Sequence, residues 1–122
     1  MRTMKLATLA AVALAASVAA ASAQEIGGKY SVAGTNLNGS RYAGTAEIVA
    51  TSPTTCRIAW KTGSTTSTGI CMHRGNVFTA AYTQSGVIGL VIYEIKDNGV
   101  LDGIWTIADQ HGSGSDVLTP MR

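Results

Sequence analysis

From Gln24 onward the chain shows no helical period in its hydrophobic positions. Short runs rich in Val, Ile, Thr and Tyr recur instead, each closed by Gly, Asn, Pro or Ser about every 10–12 residues, the mark of successive β-strands. Eight segments follow this pattern: Lys29–Thr35, Arg41–Thr51, Thr55–Thr62, Thr65–His73, Val77–Thr83, Val87–Lys96, Val100–Ala108 and Asp116–Thr119. Links this short join only antiparallel neighbours, so the sequence predicts a meander.

Turn chemistry sets the register. Thr62-Gly63-Ser64-Thr65 reads as a two-residue hairpin with Gly first. Counting outward from its centre places Cys56 opposite Cys71, and cross-strand partners lie about 4.5–5.5 Å apart at Cα, within disulfide range. At Lys96–Val100 a two-residue loop would set Ile95 against Asp102. A three-residue loop with Gly99 in the left-handed region pairs Ile95 with Leu101, Tyr93 with Gly103 and Val91 with Trp105, and is the register expected. Leu37-Asn38-Gly39 repeats the device and sets Gly34 opposite Tyr42. Two-residue loops at Gly75-Asn76 and Ser85-Gly86 place Tyr82 between Gly69 and Gly89.

In this register one face collects every aromatic residue: Tyr30, Tyr42, Trp60, Phe78, Tyr82, Tyr93 and Trp105. Val32, Ile48, Ile58, Val91, Ile95, Leu101, Ile107 and both cysteines share it. The other face takes Lys29, Arg41, Glu47, Arg57, Lys61, Glu94, Lys96 and Asp102, which leaves the inner face without an expected Asp, Glu, Lys or Arg. Several rings face a glycine, which makes room for them and lets the sheet coil. Eight antiparallel strands with one apolar face remove their exposed edges most economically by closing. The expected fold is all-β: a small eight-stranded antiparallel up-and-down β-barrel, avidin- or lipocalin-like in architecture, with a β-sandwich as the alternative.

The N-terminal stretch changes the charge picture. Arg2 and Lys5 precede an apolar, alanine-rich run from Leu6 to Val18, and Ala21-Ser22-Ala23 supplies a small-x-small cleavage site. Residues 1–23 are therefore expected to be a cleavable secretory signal peptide, and 24–122 a single β-barrel domain in the periplasm or secreted. The apolar run is too short to predict a membrane span. Of the chain's nine Lys and Arg, two belong to that leader, so the remainder balances its seven Asp and Glu. A neutral domain without a basic cluster argues against a nucleic-acid partner. Two cysteines in a small exported domain point to a disulfide.

Candidate chemistry is sparse. The inner aromatic residues either fill a small barrel or line an apolar pocket; the sequence leaves both open. Asp109-Gln110-His111-Gly112-Ser113-Gly114-Ser115 gathers Asp, His and Ser, but with no nucleophile elbow it reads as a solvated loop, and no catalytic residue is expected. His73 reads as a rim residue. With two His and no close carboxylate pair, neither a metal nor a cofactor is expected. On the outer face, Val77, Ala81, Ile88, Leu90, Ile92 and Ile104 form an apolar band broken mainly by Thr79 and Thr106. Such a band marks a self-association or partner surface unless the eighth strand or a terminus covers it.

Several segments carry a resemblance. Tyr30-Ser31-Val32-Ala33-Gly34-Thr35-Asn36, Thr55-Cys56-Arg57-Ile58-Ala59-Trp60, Gly69-Ile70-Cys71-Met72, Gly89-Leu90-Val91-Ile92-Tyr93, Leu101-Asp102-Gly103-Ile104-Trp105-Thr106-Ile107 and Val117-Leu118-Thr119-Pro120 occur in that order. In these the chain resembles small exported proteins of rhizobia and related alphaproteobacteria, often labelled "fibronectin-binding protein". The expected function is a non-enzymatic binding module that contacts a protein through the outer apolar band or the loops at one barrel end; the resemblance implies a host matrix protein of the fibronectin type as that partner. No fibronectin-binding motif accompanies it. The other expectation is a lipocalin-like carrier of a small apolar ligand held in the aromatic interior.

Overall fold

The computed structural model describes residues 25–121, so the leader reading of residues 1–23 and Gln24 lie outside the described residues. Eight strands follow in chain order: β1 Gly28–Thr35, β2 Arg41–Ala50, β3 Thr55–Thr62, β4 Thr65–Arg74, β5 Val77–Gln84, β6 Val87–Ile95, β7 Leu101–Ile107 and β8 Gly114–Pro120. Each pairs antiparallel with the next, and β8 returns to β1 to close the barrel. The meander closes on itself; it does not fold into a sandwich.

The turn-derived register holds throughout. Gly34 pairs with Tyr42, Cys56 with Cys71, Gly69 with Tyr82, Tyr82 with Gly89, Tyr93 with Gly103 and Val91 with Trp105. The three-residue loop before β7 is closed by Lys96 N–H to the Val100 carbonyl at 2.8 Å and Gly99 N–H to the Lys96 carbonyl at 3.0 Å. Gly99 there has φ +84°, a conformation side chains disfavour, which is why the third loop position carries glycine.

Two corrections concern β8. It begins at Gly114, two residues before the expected Asp116, because Ser115 pairs with Thr35 and Gly114 with Trp105. The Gly-Ser composition reads locally as a loop, but barrel closure gives Ser115 ladder partners on both sides and Gly114 one on β7. Asp116 then falls on the inner face, buried at 4 % exposure, contrary to the expectation of an interior free of charged residue types.

The hairpins alternate between the two ends of the barrel. At the end with the β2–β3, β4–β5 and β6–β7 loops the interior is solid. Tyr30, Ile48, Phe78, Tyr93, Leu101 and Leu118 are essentially fully buried there, and Ile26 from the segment before β1 packs against them. Phe78 and Tyr93 meet edge to face with ring centres 5.6 Å apart, and Tyr30 Oη accepts the Gly27 N–H at 3.1 Å. His73 stacks on Phe78 at that rim.

The Cys56–Cys71 disulfide bridges directly paired residues on β3 and β4, with Cα atoms 4.9 Å apart and a sequence separation of 15. A closed loop of that length contributes about 3 kcal/mol by restricting the unfolded chain. A Cys56→Ala/Cys71→Ala double variant is expected to fold to the same barrel and to lose about 3 kcal/mol in urea unfolding, with an unchanged near-ultraviolet signal from the inner aromatic residues.

Candidate ligand-binding site

The other end of the barrel, ringed by the β1–β2, β3–β4, β5–β6 and β7–β8 hairpins, is not filled. A cavity of about 230 Å³ opens there. Its walls are Tyr42 on β2, Trp60 on β3, Tyr82 on β5 and Trp105 on β7. Asn36, Thr62, Thr65 and Gln84 stand at the mouth, and Ser67, Val91 and Asp116 complete the lining. The interior is thus partitioned: the sequence posed a filled core against an open pocket, and the barrel has one at each end.

The rings reach their places by lying over glycines. A Cβ on Gly34 would stand 2.5 Å from Tyr42 Cζ, one on Gly103 2.6 Å from Tyr93 Cδ1, and one on Gly114 2.6 Å from Trp105 Nε1. No such atom fits, so each ring can fold flat along its neighbour strand and turn its polar tip inward or to a carbonyl. Trp105 Nε1–H is shared between the Thr35 and Ser115 carbonyls at 3.2 and 3.1 Å, and Tyr82 Oη–H donates to the Thr106 carbonyl at 3.1 Å. Trp60 and Tyr82 pack edge to face at 5.2 Å, as do Tyr42 and Trp105 at 6.4 Å. The first pair flanks β4 and the second flanks the β8–β1 seam, so the two face each other across the cavity.

Asp116 sits between Gly34 of β1 and Gly103 of β7, the two glycines over which Tyr42 and Tyr93 lie. Tyr42 donates to Oδ1 at 2.7 Å and Tyr93 to Oδ2 at 2.5 Å. Every Lys and Arg of the described residues is exposed, so no protein cation balances this carboxylate within the barrel. Burial pushes its pKa above the usual carboxylate range; the Tyr93, Tyr42 and Trp60 donors pull the other way without cancelling it. Burial and the nearby carboxylate raise both tyrosines too, Tyr42 and Tyr93 well above the ordinary phenol value. Tyr82 is pushed up to about 12, first by burial and then by Asp116.

The hydrogen bonds fit a protonated carboxyl as well as an ionised one. Tyr42 Oη lies 2.9 Å from the Ser115 carbonyl as well as 2.7 Å from Asp116 Oδ1, and has one proton for two acceptors. With the proton on Oδ1, Asp116 can donate to Tyr42 and leave Tyr42 free to donate to Ser115. The cluster therefore has two satisfied states that differ by one proton.

Of the aromatic residues singled out from the sequence, the structure gathers Tyr42, Trp60, Tyr82 and Trp105 around the cavity. Tyr30, Phe78 and Tyr93 belong to the packed end, Tyr93 touching the site only through Asp116. Sequence reasoning missed Asp116. A signal was present: carrying the β1 register across to β8 puts Leu118 opposite Val32 and hence Asp116, two residues earlier, on the same inner face. The Asp109–Ser113 stretch is exposed, as expected of a solvated loop.

The outer band also stands uncovered. Ile88, Leu90, Ile92 and Ile104 are each at least half exposed, Val77 rather less and Ala81 partly buried. Neither β8 nor the described termini cover it. It is wider than the sequence reading, since Ile70 and Met72 of β4 pair with Ala81 and Thr79 and extend it sideways.

No family model matches the chain, and no curated protein does. Among solved structures it is similar to a de novo designed, fluorescence-activating β-barrel, with 14% sequence identity and a TM-score of 0.64 over 79% of this chain and 94% of that one. It is also similar to a redesigned β-barrel, with 15% identity and a TM-score of 0.67 over 79% of this chain and 91% of that one. Identities this low carry the barrel architecture alone.

The raised pKa of Asp116 has a measurable consequence. The folded chain holds this proton more tightly than the unfolded chain. Stability is therefore lost as pH rises from the ordinary Asp value near ~4 toward the raised value, by at most about 1.4 kcal/mol per pH unit. Asp116→Asn keeps a donor and an acceptor in place but does not titrate. The stability of the parent relative to this variant is expected to fall with rising pH across that window, read from paired urea melts in steps from pH 4 to 8.

Proposed function

We propose that this protein is an exported, non-enzymatic binding barrel that admits one small ligand through the open end. The observation that carries this reading is the cavity itself: an aromatic-walled space of about 230 Å³ with the buried Asp116 and Ser67 in its lining and four further polar side chains at its mouth. Aromatic walls joined by convergent polar groups are common in small-molecule sites, and this lining combines four aromatic residues with six polar ones. The volume lies below the 300–1,000 Å³ usual for drug-sized ligands and corresponds to about eight waters, so the ligand is compact. Binding rather than turnover is favoured because the one acid in the cavity has tyrosines and indoles for neighbours, and those tyrosines are raised above the ordinary phenol value. Export is supported by the leader-like residues 1–23 and by the disulfide, which is compatible with an oxidising compartment.

Thr65→Trp at the mouth tests the pocket without disturbing the packed end. In ligand-detected NMR with a mixed library of small apolar, cationic, anionic and neutral polar fragments, the parent is expected to bind at least one class and the variant to lose it. Fragments that bind both proteins equally, or neither, would reject the pocket as the site.

A second reading rests on the outer band. Ile70 at 67 % exposure and Leu90 at 58 % are unusually bare for aliphatic residues at the middle of strands, and together with Met72, Ile88, Ile92 and Ile104 they form one patch. This patch would seat a protein partner or a second copy, which is also the direction in which the "fibronectin-binding" resemblance points. Leu90→Lys/Ile92→Lys is expected to shift any dimer to monomer in light scattering at high concentration, with less than about 0.5 kcal/mol change in monomer stability, as for most surface substitutions. A parent that is monomeric throughout and retains no fibronectin on a coated surface would remove this second reading.

A further inference from the structure

We infer that the ligand of the open end is a compact organic cation, an alkylammonium or quaternary ammonium group, held between the two aromatic pairs and against Asp116. This rests on the reading of the open end as a ligand site and goes further by assigning the charge of its occupant. Three features of the site converge on that assignment.

The first is charge. Asp116 lines the cavity at 4 % exposure, its hydrogen bonds come from neutral hydroxyls, and every described Lys and Arg is exposed to solvent. A ligand bearing positive charge supplies the counter-ion that the barrel does not. An anionic ligand would meet the carboxylate with no cation to separate them.

The second is the wall. Trp60 with Tyr82, and Tyr42 with Trp105, form two edge-to-face pairs on opposite sides of the same small space. All four aromatic residues line the cavity, and their rings pack at angles of 65° and 60° within the pairs. Ring faces carry negative potential and attract alkylated ammonium groups, which shed their hydration readily enough to be held this way. The indole Nε1–H of Trp105 is already committed to two carbonyls and the Tyr82 hydroxyl to a third, so these two aromatic residues offer their rings, not their polar tips, to a ligand.

The third is proton accounting. The cluster is satisfied either with a proton on Asp116 or with the carboxylate ionised, and a cation in the cavity selects the ionised state. Binding therefore releases a proton, and affinity falls as pH is lowered through the raised titration of Asp116. The groups that face this carboxyl are Tyr42 from β2, Trp60 from β3, Tyr82 from β5, Tyr93 from β6 and Trp105 from β7. β1 contributes Gly34 and β4 contributes Ser67, neither of which titrates. With the three tyrosines all raised above the ordinary phenol value, Asp116 is the group of this cluster that titrates first as pH rises.

Choline and its neutral isostere 3,3-dimethylbutan-1-ol separate the possibilities by isothermal titration calorimetry on the intact protein, with 3,3-dimethylbutanoate as the anionic member of the set. The expected result is that choline binds at least tenfold more tightly than the alcohol, that the butanoate does not bind, and that choline weakens as pH is lowered from 8 to 4 while the alcohol does not. Asp116→Asn is expected to remove choline's advantage; the comparison among ligands on the parent protein stands even should that variant fail to fold. If the alcohol binds as well as choline, or the butanoate binds best, the cation assignment is overturned while the pocket survives. If none of the three binds and the Thr65→Trp variant loses no fragment, the assignment and the pocket fall together.

Discussion

Closure of the sheet through β8 is the constraint on which the rest of this barrel depends. β8 is the strand with the least sequence signal, yet it lies between β1 and β7 and removes the two edges that would otherwise remain. Inserting it fixes three further things. It gives Gly114 and Ser115 ladder partners, it supplies the Ser115 carbonyl that accepts from both Tyr42 and Trp105, and it turns Asp116 inward. The seam of the barrel and the polar centre of its cavity are the same residues.

The rings and glycines explain how so short a chain has both a solid end and an open one. Near the mouth, Tyr42, Tyr82 and Trp105 each lie over a missing Cβ on the neighbouring strand, so they occupy the wall and leave the middle of the barrel free. At the other end, Phe78, Leu101 and Leu118 project toward one another with no residual exposure, and the space is consumed. Burying these side chains at roughly 25 cal/mol per Å² of apolar surface, together with the disulfide, concentrates the stabilisation at that end. The mouth is then held by hydrogen bonds of tyrosine and tryptophan tips to backbone carbonyls, which fix ring orientation while adding little apolar burial.

Much of this was legible in the sequence, because turn type and strand alternation constrain one another. Gly99 at the third loop position and Gly63 at the first decided the pairings of Tyr93 and Cys56, and one slipped register would have put Asp102 inside. β8 was harder. Its first residues are Gly-Ser, whose local preference is for loop, and only the long-range pairing with Thr35 overrides it. The buried acid was missed for the same reason, since a face cannot be assigned to a strand whose partner is unspecified. The division into a filled and an open end was not legible at all: it depends on ring orientation over glycines, which the alternation of faces does not encode.

An ionisable group at Asp116 is a poor choice for stability alone. Burial raises its pKa, so its ionisation works against folding, and an apolar residue of similar volume commonly matches or exceeds the stability of a buried charge. Asparagine would satisfy the same tyrosines without titrating. What the carboxyl offers that asparagine cannot, on the proposed reading, is a charge that develops when a cation arrives and is neutralised by a proton when it leaves. The two tyrosines hold its oxygens from opposite sides in both states, so the site needs no rearrangement to change charge. A position that costs stability, is preorganised by glycine-seated rings and opens on an aromatic cavity is best accounted for by what it binds.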